Sequence, residues 1–348
     1  MGYKNILIIK TSSLGDVIHA LPSAVALRRL YPQAKISWLV NRPFADILIG
    51  NPVLDEVIII EQQRFTRGSL SERYAYFKTV RRDLKSRQFD LVLDLQGLLK
   101  SSILALMTGC KNRYGYWELR EGSWLVSKAI KGEYAYGHVI QRYLDVVRYF
   151  GSEVEHPEFV LPNLQPEHLK ITALLQANAV QPGNFIVVAP GTSWPSKEWP
   201  LEHYVVLIKK LLRKGYQVVL VGAKADQPKA DFITTRVNNV NLVDFTGATN
   251  LRELMALFQQ ASLYVSGDTG PLHIAVATGL PVVAMYGPTK AERTGPYGIK
   301  SRVLTSKILC SPCRKRECTP LVCMSNILSE EVFQACEDFL KLKNISLE

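Results

Sequence analysis

Short apolar runs alternate with segments of helical spacing along the whole chain. In the first half, "NILIIK" (5–10), "KISWLV" (35–40), "DEVIII" (55–60) and "FDLVLDLQG" (89–97) have strand length, and "SAVALRRL" (23–30) and "SERYAYFKTVRRDLKSR" (71–87) have helical periodicity. The scheme returns in "FIVVAPG" (185–191), "QVVLVG" (217–222), "VNLVDFTG" (240–247), "SLYVSGD" (262–268) and "PVVAMYG" (281–287). Between the first two of these, "LEHYVVLIKKLLRKG" (201–215) ends on basic residues and Gly215, a helix stop. Strands this apolar, separated by helices, predict parallel sheets covered on both faces, so the expected fold is α/β with two doubly wound, Rossmann-like lobes. Strand patterning lapses over 151–184, where Pro157, Pro162, Pro166 and Pro182 fall. The expected division is a first lobe over 1–165, a linker over 166–183, a second lobe over 184–325 and a closing segment over 326–348. In that last segment "SEEVFQACEDFLKLK" (329–343) predicts a helix capped by Ser329, packing back toward the first lobe.

A length of 348 residues suits two domains. The excess of 42 Lys and Arg over 31 Asp and Glu, a net charge of +11, favours an anionic partner: a nucleotide, a phosphorylated lipid, a membrane surface or a nucleic acid. Aromatic residues are scattered without an RNA-recognition module, so a nucleic-acid partner is not expected. Without a long apolar run or a secretory leader pattern, the sequence reads as cytoplasmic.

Ligands of doubly wound sheets gather at the carboxyl ends of strands. After the first strand come Lys10, Thr11, Ser12, Ser13, Gly15 and Asp16, hydroxyls and amides suited to an anion, with one acid. The ordinary alternative is that Ser13 and Asp16 cap the next helix. "APGTSWPSKEWP" (189–200) places Thr192, Ser193 and Lys197 beyond another strand, suited to pyrophosphate oxygens or else an unremarked loop. In "VSGDTGPLHIAVATGLPVVAMYGPT" (265–289), Asp268 ends a strand, Thr269 and Gly270 form a turn, Pro271 fits the first helical position and His273 lies in the first turn. Four of the six cysteines, Cys310, Cys313, Cys318 and Cys323, have C-x2-C-x4-C-x4-C spacing. That suits a structural zinc, reduced thiols or disulfides formed on isolation; Cys110 and Cys336 read as packing residues.

Taken together, "KTSSLGDVIHALP" (10–22), "LDLQGLLKS" (93–101), "GTSWPSKEWPLEHY" (191–204), "VGAKAD" (221–226) and the 266–289 segment resemble the inverting, GT-B-fold bacterial heptosyltransferases that build the lipopolysaccharide inner core, in the family's order and over nearly the whole chain. The opening looks most like the members that move L-glycero-D-manno-heptose from ADP-heptose to the Kdo of Kdo2-lipid A. The resemblance implies a cleft between the lobes, Asp16 as general base and Lys197 as phosphate-binding lysine. It implies donor contacts from Ser13, Thr192, Ser193, Thr269, Gly270 and His273, with Asp268 near the heptose; filling a half-buried polar position is the ordinary alternative for His273. Asp226 stands where the family has Glu toward the adenosine, and Thr249 where a backbone contact to adenine is made. Arg64, Arg67 and Arg120 are the implied acceptor contacts, the first two within the basic run from Arg64 to Arg87. His138 and Arg142 fall in a family-like segment, with a structural role an equal reading. No metal or other cofactor is expected in catalysis, and a lipid acceptor implies peripheral association with the cytoplasmic face of the inner membrane. The alternatives are a nucleotide-sugar transferase with another sugar or acceptor, a nucleotide-sugar 2-epimerase, and a non-catalytic anion- or RNA-binding protein.

Overall fold

A computed structural model describes residues 2–345. Its internal contacts divide the chain into two units after Asn163. In the first unit the order is β1 (Asn5–Ile9), α1 (Leu14–Leu30), β2 (Lys35–Asn41), β3 (Glu56–Ile60), α2 (Leu70–Ser86), β4 (Leu91–Asp94), α3 (Leu99–Met107), β5 (Arg113–Tyr116), β6 (Lys128–Ile130) and α4 (Val139–Arg148). The strands form one parallel sheet in the order β3-β2-β1-β4-β5-β6. Ile6, Leu7, Ile8 and Ile9 are all fully buried, which is why β1 shows an unbroken apolar run instead of an alternation. Leu7 and Ile9 pack with Val80 and Leu84 of α2 and Leu104 and Met107 of α3; Ile6 and Ile8 point to the other face by the two-residue period of a strand. Helix α1 begins further upstream than the 23–30 pattern indicates and carries Pro22 inside it.

The second unit runs α5 (Gln165–Ala177), β7 (Phe185–Ala189), α6 (Leu201–Arg213), β8 (Gln217–Leu220), α7 (Gln227–Val237), β9 (Leu242–Asp244), α8 (Leu251–Gln260), β10 (Leu263–Gly267), α9 (Gly270–Ala277), β11 (Val282–Tyr286), α10 (Ala291–Thr294), β12 (Ser301–Thr305), α11 (Val322–Ser325) and α12 (Ser329–Ile345). Its parallel sheet has the order β12-β11-β10-β7-β8-β9. Both sheets therefore have the doubly wound plan expected, with the winding direction reversing between β1 and β4 in one and between β7 and β10 in the other.

Most of the segment expected as a linker is helix α5. It buries Ile171 and Leu175 and is pinned to α8 by the ion pairs Arg252–Glu167 and Lys170–Glu253, both at 2.5 Å. Val332, Cys336 and Leu340 of helix α12, at i, i+4 and i+8, join the second unit's core beside Leu207, Ile208 and Leu211 of α6.

Candidate functional site

In the first unit the loop after β1 and the turn after β4 meet at the reversal point. Lys10 is only 2% exposed. Its Nζ donates to the Leu95 carbonyl at 2.9 Å and to Tyr143 Oη at 2.8 Å, and lies 4.0 Å from Asp16 Oδ1. The other Asp16 oxygen accepts from the Ser13 amide at 3.0 Å and from Ser13 Oγ at 2.8 Å. Asp16 thus does cap α1, as its position three residues after Ser13 suggested, and in addition faces a buried ammonium. The carboxylate is fixed from two sides and 39% exposed at its side chain, so it is oriented and reaches solvent. Gln96 joins the two loops: its Oε1 accepts from the Thr11 and Ser12 amides, both at 3.1 Å. Sequence reasoning assigned neither Lys10 nor Gln96 a role. The available signal for Lys10 was a lysine continuing a fully apolar strand.

Asp94 is fully buried and accepts from the Gln96 and Gly97 amides at 3.0 and 2.9 Å and from Ser101 Oγ at 2.9 Å. Burial raises its carboxyl above the ordinary value, against the pull of those hydrogen bonds and of Lys10. It shapes the β4 turn. Asp94→Ala would strand those donors in the core, and urea denaturation should show a loss of about 2–4 kcal/mol.

The acceptor candidates do not all converge. Arg64 and Arg67 line one cavity of about 530 Å³, together with Arg42, Glu61 and Glu72, and Arg64 lies over the Tyr76 ring at 4.4 Å. Arg120 is exposed on a different loop, held through its amide to the Gly97 carbonyl at 2.9 Å. His138 caps α4 through Nδ1, and Arg142 pairs with Glu118 at 2.8 Å, both buried structural contacts.

In the second unit the loops after β7 and β10 flank the other reversal point. Lys197 Nζ lies 2.6 Å from Asp268 Oδ2, which also accepts from Thr289 Oγ1 at 2.7 Å; His273 Nε2 stands 3.8 Å from Asp268 Oδ1. Burial alone would raise the Asp268 carboxyl. His273 and Lys197 override it and hold the group well below the ordinary carboxylate range. Thr269 caps α9, its Oγ1 accepting from the Leu272 amide at 3.4 Å. Gly267 lets the loop come close: a Cβ there would stand 3.0 Å from the Lys197 carbonyl oxygen and 3.4 Å from Thr192 Cγ2, a tight fit. That close approach sets Lys197 and Thr192 against the end of β10. Ser193 is exposed on the same loop, and Thr192 Oγ1 is turned to the Trp194 carbonyl at 2.7 Å. An ammonium beside the first turn of an eight-residue helix can receive an anion, since both the lysine and the free amides favour negative charge.

Asp226 is half-buried beyond β8, accepting from the Ala223 amide at 3.0 Å and from Lys229 Nζ at 3.4 Å. Its carboxylate packs so closely on Gly191 that a Cβ there would collide with it, which joins the β8 loop to the β7 loop. Thr249 is half-buried in the loop before α8. Thr289 and Trp194, whose ring lies 4.5 Å from Lys197 Nζ, were not singled out from sequence.

Cys310, Cys313, Cys318 and Cys323 line a common pocket of about 230 Å³. Among the described residues, however, no three His, Cys, Asp or Glu side chains are grouped so as to hold a metal ion, so the zinc expectation finds no support in this arrangement. The loop is instead fastened to the Lys197 segment: Ser196 Oγ donates to the Lys315 carbonyl at 2.6 Å, and its amide donates to the Arg316 carbonyl at 3.2 Å.

Each unit thus carries a polar cluster at the reversal point of its sheet, the place where an open α/β sheet binds its ligand. Residues 77–322 match the model of glycosyltransferase family 9 (heptosyltransferase). The chain is 30% identical over 320 residues to lipopolysaccharide heptosyltransferase 1 of Pseudomonas aeruginosa, covering 90% of this chain and 87% of that protein. Its fold is similar to a family 9 glycosyl transferase of Veillonella parvula (TM-score 0.80, 22% identity, 97% of both chains). It is also similar to the Escherichia coli heptosyltransferase WaaC solved with ADP (TM-score 0.75, 24% identity, 96% of this chain and 99% of that one). The chain belongs to glycosyltransferase family 9, the heptosyltransferases, and its fold is that of the GT-B members.

Proposed function

We propose that this heptosyltransferase of lipopolysaccharide core synthesis moves L-glycero-D-manno-heptose from ADP-heptose to a Kdo residue of Kdo2-lipid A, inverting the anomeric centre with Asp16 as base. The observation that carries the reading is the Asp16 carboxylate held between Ser13 and the buried Lys10. The acceptor hydroxyl oxygen bonds to the anomeric carbon as the bond from that carbon to the diphosphate oxygen breaks. The hydroxyl proton passes to Asp16, and the electron pair of the broken bond leaves with ADP. Lys197 and the amides at the start of α9 stabilise the charge that grows on the diphosphate, which needs no metal.

Thr192, Ser193, Thr269 and Gly270 supply the remaining diphosphate contacts, Ser13 adds its hydroxyl to the donor site, and Asp268 with His273 reads the sugar hydroxyls. Asp226 and Thr249 face the adenosine. Arg64, Arg67 and Arg120 hold the anionic groups of the acceptor. The donor assignment is supported by the similarity to the WaaC structure solved with ADP, and the acceptor assignment by the similarity to lipopolysaccharide heptosyltransferase 1 of Pseudomonas aeruginosa. A lipid-borne acceptor is met at the cytoplasmic face of the inner membrane by peripheral association. No described helix is long and apolar enough to cross a membrane.

Mass spectrometry of Kdo2-lipid A incubated with ADP-heptose and the purified protein should show the gain of one heptose, and NMR of the product an inverted anomer. Absence of transfer overturns the reading, and isomerisation of ADP-heptose without acceptor would replace it with epimerase chemistry.

A further inference from the structure

Helix α3 turns an aliphatic edge to solvent. Its exposed positions are Leu99, Ile103 and Leu106, 50%, 39% and 49% exposed, which at i, i+4 and i+7 form one stripe. A helix that covers a sheet ordinarily shows charge there. Leu104, Ala105 and Met107 already fill the core, so the stripe is a second apolar face and not a displaced core face. The short turn Ser123–Leu125 packs beside α3 and extends the stripe with Trp124, 58% exposed, and Leu125, 83% exposed. The Leu99 amide, donating to Glu121 Oε2 at 3.2 Å, ties that loop to the start of the helix.

At the other end of α3, Gly109 lies against the Lys85 side chain of α2. Helical spacing sets Lys78 and Arg82 on the same stripe of α2 as Lys85, and all three are exposed. Asp83, the acid of that stretch, is paired with Arg87. Apolar side chains bordered by unneutralised cations, with a tryptophan at the margin, are the chemistry of an interfacial membrane contact.

We infer that this face of the first unit docks on an anionic bilayer: the α3 stripe and Trp124–Leu125 enter the boundary between headgroups and acyl chains, and Lys78, Arg82 and Lys85 meet the lipid phosphates. The inference rests on the reading that the acceptor is borne by a lipid, and gives that reading its membrane-facing surface. A second copy of the chain is a poorer occupant, because a stable protein interface takes about 20–30 residues a side and two copies would bring like charges together.

Flotation with vesicles of phosphatidylethanolamine and phosphatidylglycerol tests the surface apart from catalysis. The wild-type chain should float with them and not with phosphatidylcholine alone. The double variants Ile103→Gln/Leu106→Gln and Trp124→Ser/Leu125→Ser, which alter exposed positions, should melt as wild type and lose at least about tenfold in partition. Their turnover of a deacylated, water-soluble acceptor should be unchanged. The tryptophan emission of the wild type should shift to the blue on binding, and Trp124→Phe should lose most of that shift. Wild type that fails to float, or variants that float as well as it does, would overturn the inference, as would a wild-type dimer that either double variant splits. Vesicle binding as expected but without heptose transfer would leave this surface standing and remove the proposed function instead.

Discussion

Asp16→Asn is expected to lower the rate of heptose transfer by about 10²–10⁴-fold while leaving ADP binding within a factor of two or so of wild type. Asn keeps the size of the side chain, and its carbonyl oxygen can still accept from the Ser13 amide and hydroxyl that Asp16 Oδ2 engages at 3.0 and 2.8 Å. The start of α1 therefore stays capped. What is lost is the negative charge 4.0 Å from Lys10 and, with it, the lone pair that takes the acceptor proton. Lys10 itself remains held by the Leu95 carbonyl and Tyr143, so the loop has no reason to rearrange. The measurement is kcat with saturating donor and acceptor, beside calorimetric titration with ADP. A fall in kcat with unchanged ADP affinity places Asp16 at the reacting hydroxyl. Unchanged kcat would reduce it to a helix cap, which is the other role its position can serve.

The sequence made the sheets legible because their central strands are buried on both faces. β1, β2, β4, β7, β10 and β11 each announce themselves as continuous apolar runs. β5, β6 and β12 went unread because Arg113–Tyr116, Lys128–Ile130 and Ser301–Thr305 are short or interrupted by polar residues at exposed positions. β3, also at a sheet edge, was legible because Val57 to Ile60 keep an unbroken apolar run. Pro162, Pro166 and Pro182 suggested a linker, yet Pro166 sits in the first turn of α5, where a missing amide hydrogen costs little.

The candidate site was legible where a residue type is informative by itself. Lys197, Asp268 and His273 do come together, because Lys197 follows β7, and Asp268 and His273 follow β10, the two strands that pair across the reversal point. Gln96 and Thr289 were opaque, because their contacts lie 85 and 21 residues away along the chain, which no local pattern encodes. Lys10 carried a signal only in its place at the end of an apolar strand; its partner Tyr143 is 133 residues away. Arg120 shows the opposite limit: a basic residue in a suggestive segment lies on a different loop from the Arg64 and Arg67 cavity.

Lys197→Met should have the largest combined effect on donor use and stability. In activity, if Lys197 meets the departing diphosphate as proposed, its removal should lower kcat/KM by about 10²–10³-fold, the scale of losing one preorganised charge-stabilising group. In stability, the variant leaves Asp268, which is nearly buried, without the ammonium at 2.6 Å, while His273, Thr289 and Tyr286 stay beside it. A deficit of about 2–4 kcal/mol at neutral pH is expected, because breaking a buried pair on one side costs more than the pair contributes. The pH dependence separates this from a general packing loss. Asp268 is held below its unfolded value in the wild type, so its contribution is complete above about pH 4 and fades as pH falls through the folded value. Without Lys197 that value rises and the contribution shrinks. The difference in stability between variant and wild type should therefore be greatest near neutrality and narrow below about pH 4, as read by urea denaturation across the range. A deficit independent of pH would assign Lys197 to packing against Trp194, and a normal kcat/KM would take it out of the donor site.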